Sequence, residues 1–288
     1  MGDPFRRRSV ECAGASGPHL MAYLEWGGEP GGSKTLICVH GLTRCARDFD
    51  RLAAAMVRHG YRVVCPDVAG RGGSDWLMNP AGYAVTTYAS DMQTLIARLD
   101  VESVQWVGTS LGGLIGMALA AMPDSSVKKL VLNDVGPVLT AAALDRIGAY
   151  LGKWPPLPDM DAAERYVRSI SAPFGPHSDA EWRFLTEHVV RQNPDGMLRM
   201  HYDPAIAVPF NAELPHKDVE LWNSYDAIRC PTLVLRGEQS DLLTRDTARQ
   251  MALRGPRAKV LEIPGVGHAP TLLHDDQIAI VREFLLGS

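Results

Sequence analysis

The chain has 288 residues, 46% hydrophobic and 22% charged, with 29 Lys and Arg against 33 Asp and Glu for a net charge of −4. That apolar content excludes intrinsic disorder, and the absence of a basic footprint argues against nucleic acid as a partner. The longest charge-free apolar stretch, 111–122, is too short to cross a bilayer, so no membrane role is expected. The N-terminal Arg6-Arg7-Arg8 is followed by no apolar stretch and reads as no secretory signal. Arg6 stands where a myristoylation motif needs Ser or Thr. Cys12, Cys38, Cys45, Cys65 and Cys230 are odd in number and lack metal-ligand spacing, so the expectation is a cytoplasmic chain with reduced thiols and no metal.

In chain order, short β-branched runs alternate with longer helical patterns, the signature of parallel strands joined by crossover helices. Segments around Val10 and 21–26 suit an antiparallel edge pair. A buried strand at 35–39 is followed by a helix over about 48–59, a strand at 61–65 and a helix at 87–99. Next come a strand at 103–107, an apolar helix from Leu111 and a strand at 129–132. After a long interval the alternation resumes with a strand at 232–235, a helix near 245–253 and a strand at 259–263. The last helix opens on Asp275-Asp276, acids suited to a helix N-terminus. The interval 136–225 has many prolines, scattered aromatics and amphipathic patterns at 162–170 and 179–190. It reads as a helical cap inserted between two parts of one α/β core, 1–135 and 226–288, because the α/β pattern returns after it.

Gly108-Thr109-Ser110-Leu111-Gly112 is a Gly-x-Ser-x-Gly pentapeptide. Alone it is a weak signal. Between a predicted strand and a predicted helix it gains force, because a tight strand–turn–helix presents a serine hydroxyl and leaves no room for Cβ atoms on the flanking glycines. The bland alternative is a glycine-rich turn with a solvated serine. A serine needs a base to become a nucleophile. His268, in Gly265-Val266-Gly267-His268, follows an apolar strand on the sheet edge where Ser110 also lies. The other histidines fall in helical or cap-like contexts, with His19 in the N-terminal turn. For the carboxylate that orients the imidazole, Asp241 is expected, since its loop follows the strand next to the one delivering His268. Asp134 is the second candidate and Glu238 a weaker third. The oxyanion donors are expected to be the backbone N–H groups of Leu111 and of Leu42 in His40-Gly41-Leu42-Thr43, with the His40 side chain structural.

Taken together, His40-Gly41, the 66–74 run Pro-Asp-Val-Ala-Gly-Arg-Gly-Gly-Ser, the Ser110 pentapeptide, the 235–241 run ending at Asp241, and Gly267-His268 resemble the α/β-hydrolase fold family, in its capped serine-esterase-like branch. The match covers about 35–288 except the insertion. The resemblance implies an eight-stranded, mostly parallel sheet flanked by helices, a helical cap over the site, and carboxylic-ester hydrolysis with no cofactor. It also implies that 67–74 is a structural turn, with Gly70 and Gly72 supplying unusual backbone angles. A nucleotide role there is disfavoured, since the lysine of a phosphate loop is missing.

Arg44 and Phe49 near the oxyanion loop are candidate entrance residues. Among the aromatics Trp154, Trp182, Phe184, Tyr202, Phe210 and Trp222, which are expected to pack the cap, Trp154 and Tyr202 are candidate pocket residues. The expected function is a serine hydrolase cleaving esters of small to medium acyl groups, lactone and hydroxyacid-oligomer substrates included, through an acyl-enzyme. Lactonase, thioesterase and carbon–carbon bond hydrolase activities fit the same triad. A ligand-binding receptor with little turnover is the competing class. Dehalogenase and epoxide-hydrolase chemistry is disfavoured, because those members of the fold carry aspartate where Ser110 stands.

Overall fold

The computed structural model describes residues 4–14, 17–28, 34–212 and 214–287. Eight strands form one sheet: β1 (Phe5–Gly14), β2 (Gly17–Trp26), β3 (Thr35–Val39), β4 (Arg62–Pro66), β5 (Val104–Thr109), β6 (Val127–Asn133), β7 (Thr232–Gly237) and β8 (Lys259–Ile263). Their spatial order is β1-β2-β4-β3-β5-β6-β7-β8. The edge pair is antiparallel from Phe5↔Trp26 to Gly14↔Gly17, β2 runs antiparallel to β4, and every later pairing is parallel. His19 therefore lies in β2 rather than in a turn; it is buried, with Nε2 3.0 Å from Asp91 Oδ2.

The central strands are buried on both faces, which is why they read as continuous apolar runs. Alternate residues face opposite sides. Leu36, Cys38, Val63, Cys65, Val107 and Val131 pack with Leu52 and Met56 of α1 (Asp50–Val57) and with Ile278, Val281 and Leu285 of α8 (Asp275–Leu286). Ile37, Val39, Trp106, Leu130 and Leu132 pack with Met92 and Leu95 of α2 (Val85–Leu99), Ile115 of α3 (Leu111–Ala120) and Met251 of α7 (Arg245–Met251). Parallel strands place their C-terminal ends on one edge, where the loops after β3, β5, β6, β7 and β8 meet.

Between β6 and β7 the chain forms α5 (Met160–Ile170) and α6 (Asp179–Glu187), in the two amphipathic stretches expected for it, and a further helix, α4 (Ala141–Gly148), outside them. Two small ribbons in this segment were not foreseen: Val138–Leu139 with Val219–Glu220, and Val190–Gln192 with Leu198–Met200. Strands of two or three residues are too short to show a period in sequence. No helix among the described residues is long and apolar enough to cross a membrane.

Candidate active site

Ser110 sits at the turn between β5 and α3 with φ 51 and ψ −113, a left-handed backbone rarely taken by a residue with a Cβ. The turn is held by close packing. A Cβ on Gly108 would run into the Gly112 carbonyl, and one on Gly112 into the Val39 carbonyl of β3, so both positions require glycine. Ser110 N–H donates to Asn133 O (3.0 Å), tying the turn to the end of β6. This strained geometry lifts the hydroxyl off the sheet edge and into a cavity.

His268, in the loop after β8, lies with Nε2 2.9 Å from Ser110 Oγ and Nδ1 2.7 Å from Asp134 Oδ2. With the carboxylate accepting from Nδ1–H, the other ring nitrogen is left to accept the serine proton. Asp134 is fully buried just beyond β6, itself in a left-handed backbone (φ 53). Its Oδ1 accepts from Gly237 N–H (2.7 Å) and its Oδ2 also accepts from Ser240 Oγ–H (2.6 Å). Three donors satisfy a charge that would be costly to bury unpaired.

The structure thus brings Asp134, and not the expected Asp241, into hydrogen-bond contact with His268. Asp241 makes no hydrogen bond to the imidazole; it is 44% exposed and accepts two hydrogen bonds from Arg146 of α4, from Nε (2.5 Å) and Nη2 (2.8 Å). Burial pushes its carboxyl up, but the bonds and charge of Arg146 prevail and hold it below the usual range. The physical reason is the sheet order. β6 lies between the strand of Ser110 and β7, so an acid at the end of β6 stands beside both partners, whereas the turn after β7 spends Ser240 on Asp134 and points the next residue outward. Glu238 also points elsewhere, accepting from Gly265 N–H (2.9 Å).

Leu42 and Leu111 border the same cavity as Ser110. The Leu111 N–H opens α3, where the first amides have no partner within the helix. The loop carrying the Leu42 N–H is anchored one peptide further on, where the Leu42 carbonyl accepts from Nε of the buried Arg71 (2.8 Å). Arg71 Nη1 also donates to Ala69 O and Tyr88 Oη, both at 2.7 Å. His40 is buried, with Nδ1 2.7 Å from Gly41 O and Nε2 accepting from Val68 N–H (3.0 Å), so it bridges the loops after β3 and β4. The 67–74 turn is structural: Gly70 and Gly72 have φ of 84 and 50, and Asp67 accepts from Ala46 and Gly73 N–H.

The cavity beside Ser110 has a volume of about 370 Å³ and an apolar lining that includes Leu114, Val135, Leu139, Leu144, Ile206 and Phe210. A smaller niche of about 60 Å³ adjoins it on the His268 side, and there Arg44 and Arg146 supply cationic walls. The remaining candidate pocket residues are displaced by packing. Phe49 is 1% exposed in the core on the α1 and α8 face of the sheet. Trp154 packs edge-on against Trp76, with ring centroids 5.8 Å apart, and lines neither space. Tyr202 is buried with its hydroxyl accepting from Gly152 N–H (3.1 Å). Among the described residues one group could hold a metal ion, Cys12, His19 and Asp91, whose ligand-type atoms lie within 4.8 Å of one another; it belongs to β1, β2 and α2, not to the loops that carry Ser110.

Residues 34–275 match the family described as alpha/beta hydrolase fold. The chain belongs to that family. It is 50% identical over 286 residues, 97% of both chains, to the 3-hydroxybutyrate-oligomer hydrolase of Cupriavidus necator. It is 28% identical over 83% of both chains to the 2-(acetamidomethylene)succinate hydrolase of Mesorhizobium japonicum. The crystal structure of an alpha/beta hydrolase from Novosphingobium aromaticivorans superposes with a TM-score of 0.89 at 34% identity, covering 99% of each chain. The chain is accordingly a hydrolase. Two polar groups that build the site of this hydrolase escaped sequence reading: Ser240 on Asp134, and Arg71 behind Leu42. A serine in a turn and an arginine in a glycine-rich loop carry no local signal; only the sheet order shows what they reach.

Proposed function

We propose that this hydrolase cleaves carboxylic esters of hydroxyacid oligomers through Ser110, His268 and Asp134. Ser110 Oγ attacks the ester carbonyl while His268 Nε2 takes its proton, and Asp134 stabilises the imidazolium that forms. The N–H groups of Leu42 and Leu111 receive the developing oxyanion. The carbonyl–oxygen bond then breaks, and His268 returns the proton to the departing alkoxide. A water, deprotonated by His268, attacks the acyl-enzyme and releases the acid. The segment 136–225 serves as the cap over this site, and the apolar cavity takes the acyl portion. Residence in a reducing compartment is part of the same reading, consistent with five free cysteines.

The observation that carries the reading is the unbroken hydrogen-bond series Ser110–His268–Asp134 at 2.9 and 2.7 Å, opening on an apolar cavity. The oligomer class is supported by the half-identity to a 3-hydroxybutyrate-oligomer hydrolase. The test is hydrolysis of linear 3-hydroxybutyrate dimer and of p-nitrophenyl butyrate by the parent and by Ser110→Ala. The parent should turn over both. The variant should fold with an unchanged circular dichroism spectrum and lose at least about 10⁴-fold in kcat on each. A parent inert towards the dimer excludes the oligomer class, and a Ser110→Ala variant as active as the parent excludes Ser110 as nucleophile.

A further inference from the structure

The two spaces flanking Ser110 differ in chemistry, and that difference gives the substrate a direction. This argument rests on the ester-hydrolase reading above. The proton that His268 takes from Ser110 must reach the departing oxygen, so the departing group lies on the His268 side of the serine. The space on that side is the niche walled by His268, Ala269, Arg44 and Arg146. The acyl side faces the apolar cavity, which among its lining residues has no charged side chain.

Arg146 is the cation best placed to act on what enters the niche. It projects from α4, is 34% exposed, and lines the niche together with Ser110 and His268. Asp241 occupies only its Nε–Nη2 edge, so the Nη1 corner is turned to neither oxygen of that carboxylate. The pairing also fixes the planar guanidinium in place, which lowers the ordering cost of a further bond. Arg44 is more constrained: it is 8% exposed, bonded through Nε and Nη2 to Asp48 (2.9 and 2.6 Å) and set over the Phe174 ring. In an ester of a 3-hydroxyacid whose alcohol part is itself a 3-hydroxyacid, the departing group carries a free carboxylate three bonds from the departing oxygen. An arginine beside the general acid is complementary to that anion.

We infer that Arg146, held by Asp241, binds the terminal carboxylate of the departing unit, so that the enzyme reads hydroxyacid oligomers from their carboxyl end and removes one free-acid unit at a time. Each step forms the Ser110 Oγ–acyl bond, breaks the terminal ester bond, and releases a hydroxyacid whose new hydroxyl proton comes from His268. The rest of the oligomer stays on Ser110, with its uncharged polyester chain in the cavity, until water releases it. Its new carboxylate then becomes the next terminus.

Two readouts test this. The first compares 3-hydroxybutyrate dimer with its methyl ester, in which a methyl group removes the negative charge, following cleavage of the internal ester bond in the parent and in Arg146→Gln and Arg146→Lys. A hydrogen bond to a charged group corresponds to about a tenfold to hundredfold preference. The parent should favour the free acid by that factor in kcat/KM, mostly through KM. Arg146→Gln should bring the acid-to-ester ratio towards one, and Arg146→Lys should restore part of it. The second follows a trimer deuterated in its carboxyl-terminal unit, which should release labelled monomer first. Because the ratio is taken within each variant, a general loss of folding or catalysis cancels from it. Equal use of acid and methyl ester by the parent, an unchanged ratio in Arg146→Gln, or unlabelled monomer appearing first overturns the inference while leaving the ester-hydrolase reading intact. Turnover of p-nitrophenyl butyrate with neither dimer cleaved overturns the oligomer class and this inference together.

Discussion

At the scale of single residues, the site turns on which of two aspartates serves the imidazole, and their surroundings differ in kind. Asp134 is fully buried, accepts from three donors and lies 2.7 Å from His268 Nδ1; Asp241 is 44% exposed and engaged by Arg146. Replacing an orienting carboxylate by its amide leaves the imidazole in the wrong tautomer, which in serine hydrolases costs on the order of 10⁴-fold in kcat. Asp134→Asn is therefore expected to lose about that much kcat on p-nitrophenyl butyrate. Asp241→Asn, which removes half of a partly exposed ion pair, should change kcat by less than about tenfold and act mainly on KM for carboxylate substrates. Steady-state kinetics with matched melting curves decide the matter, and a larger kcat loss for Asp241→Asn would reverse the assignment. Sequence reading ranks Asp241 first on strand adjacency, whereas the contact with His268 depends on which loop points its side chain inward.

At the scale of elements, the loops after β3 and β4 form one unit joined by His40 and Arg71. Burial pushes the His40 imidazole down to about 3, with nearby Arg71 and Arg44 adding to the effect against the opposing bond to Gly41 O. The folded protein therefore keeps His40 neutral where an unfolded chain would protonate it, below about 6.5. In that interval the unfolded state binds the extra proton, so stability contributed by neutral His40 is present near pH 7 and falls as the pH drops towards 3. Asp67, raised to about 6 by burial, has the opposite sign, so the comparison must be between proteins rather than along one curve. His40→Gln should be less stable than the parent at pH 7, because it disturbs the bond to Val68 N–H. The gap should narrow on acidification to pH 5, by up to about 1.4 kcal/mol per pH unit. Urea unfolding of both proteins at the two pH values measures this; a gap that stays constant would show that His40 is protonated in the fold.

At the scale of the whole molecule, the alternation of apolar runs and helical patterns is enough to see a mostly parallel sheet, because strands buried on both faces must be apolar throughout. The antiparallel edge pair was legible only as two segments, around Val10 and 21–26, whose burial is one-sided or partial rather than continuous. Ser110 and His268 were legible because glycine-rich turns after apolar strands leave a local mark. What was not legible depends on contacts between distant segments: Asp134 beside β7, Arg71 behind Leu42, Phe49 in the core instead of the pocket, and the cavity wall contributed by α4 and Phe210. The sheet brings the ends of β5, β6 and β8 together, and the segment between β6 and β7 adds Leu139, Leu144, Phe210 and Arg146 to the walls around that meeting point.

The most direct test of that convergence is covalent trapping with a p-nitrophenyl alkylphosphonate, a mimic of the tetrahedral state that phosphonylates an activated serine. The parent should release one equivalent of p-nitrophenol, lose ester hydrolysis in proportion, and carry the adduct on Ser110 in peptide mass mapping. Asp134→Asn should react far more slowly, and Ser110→Ala not at all. An adduct on any other residue, or full ester hydrolysis surviving stoichiometric treatment, would contradict the account.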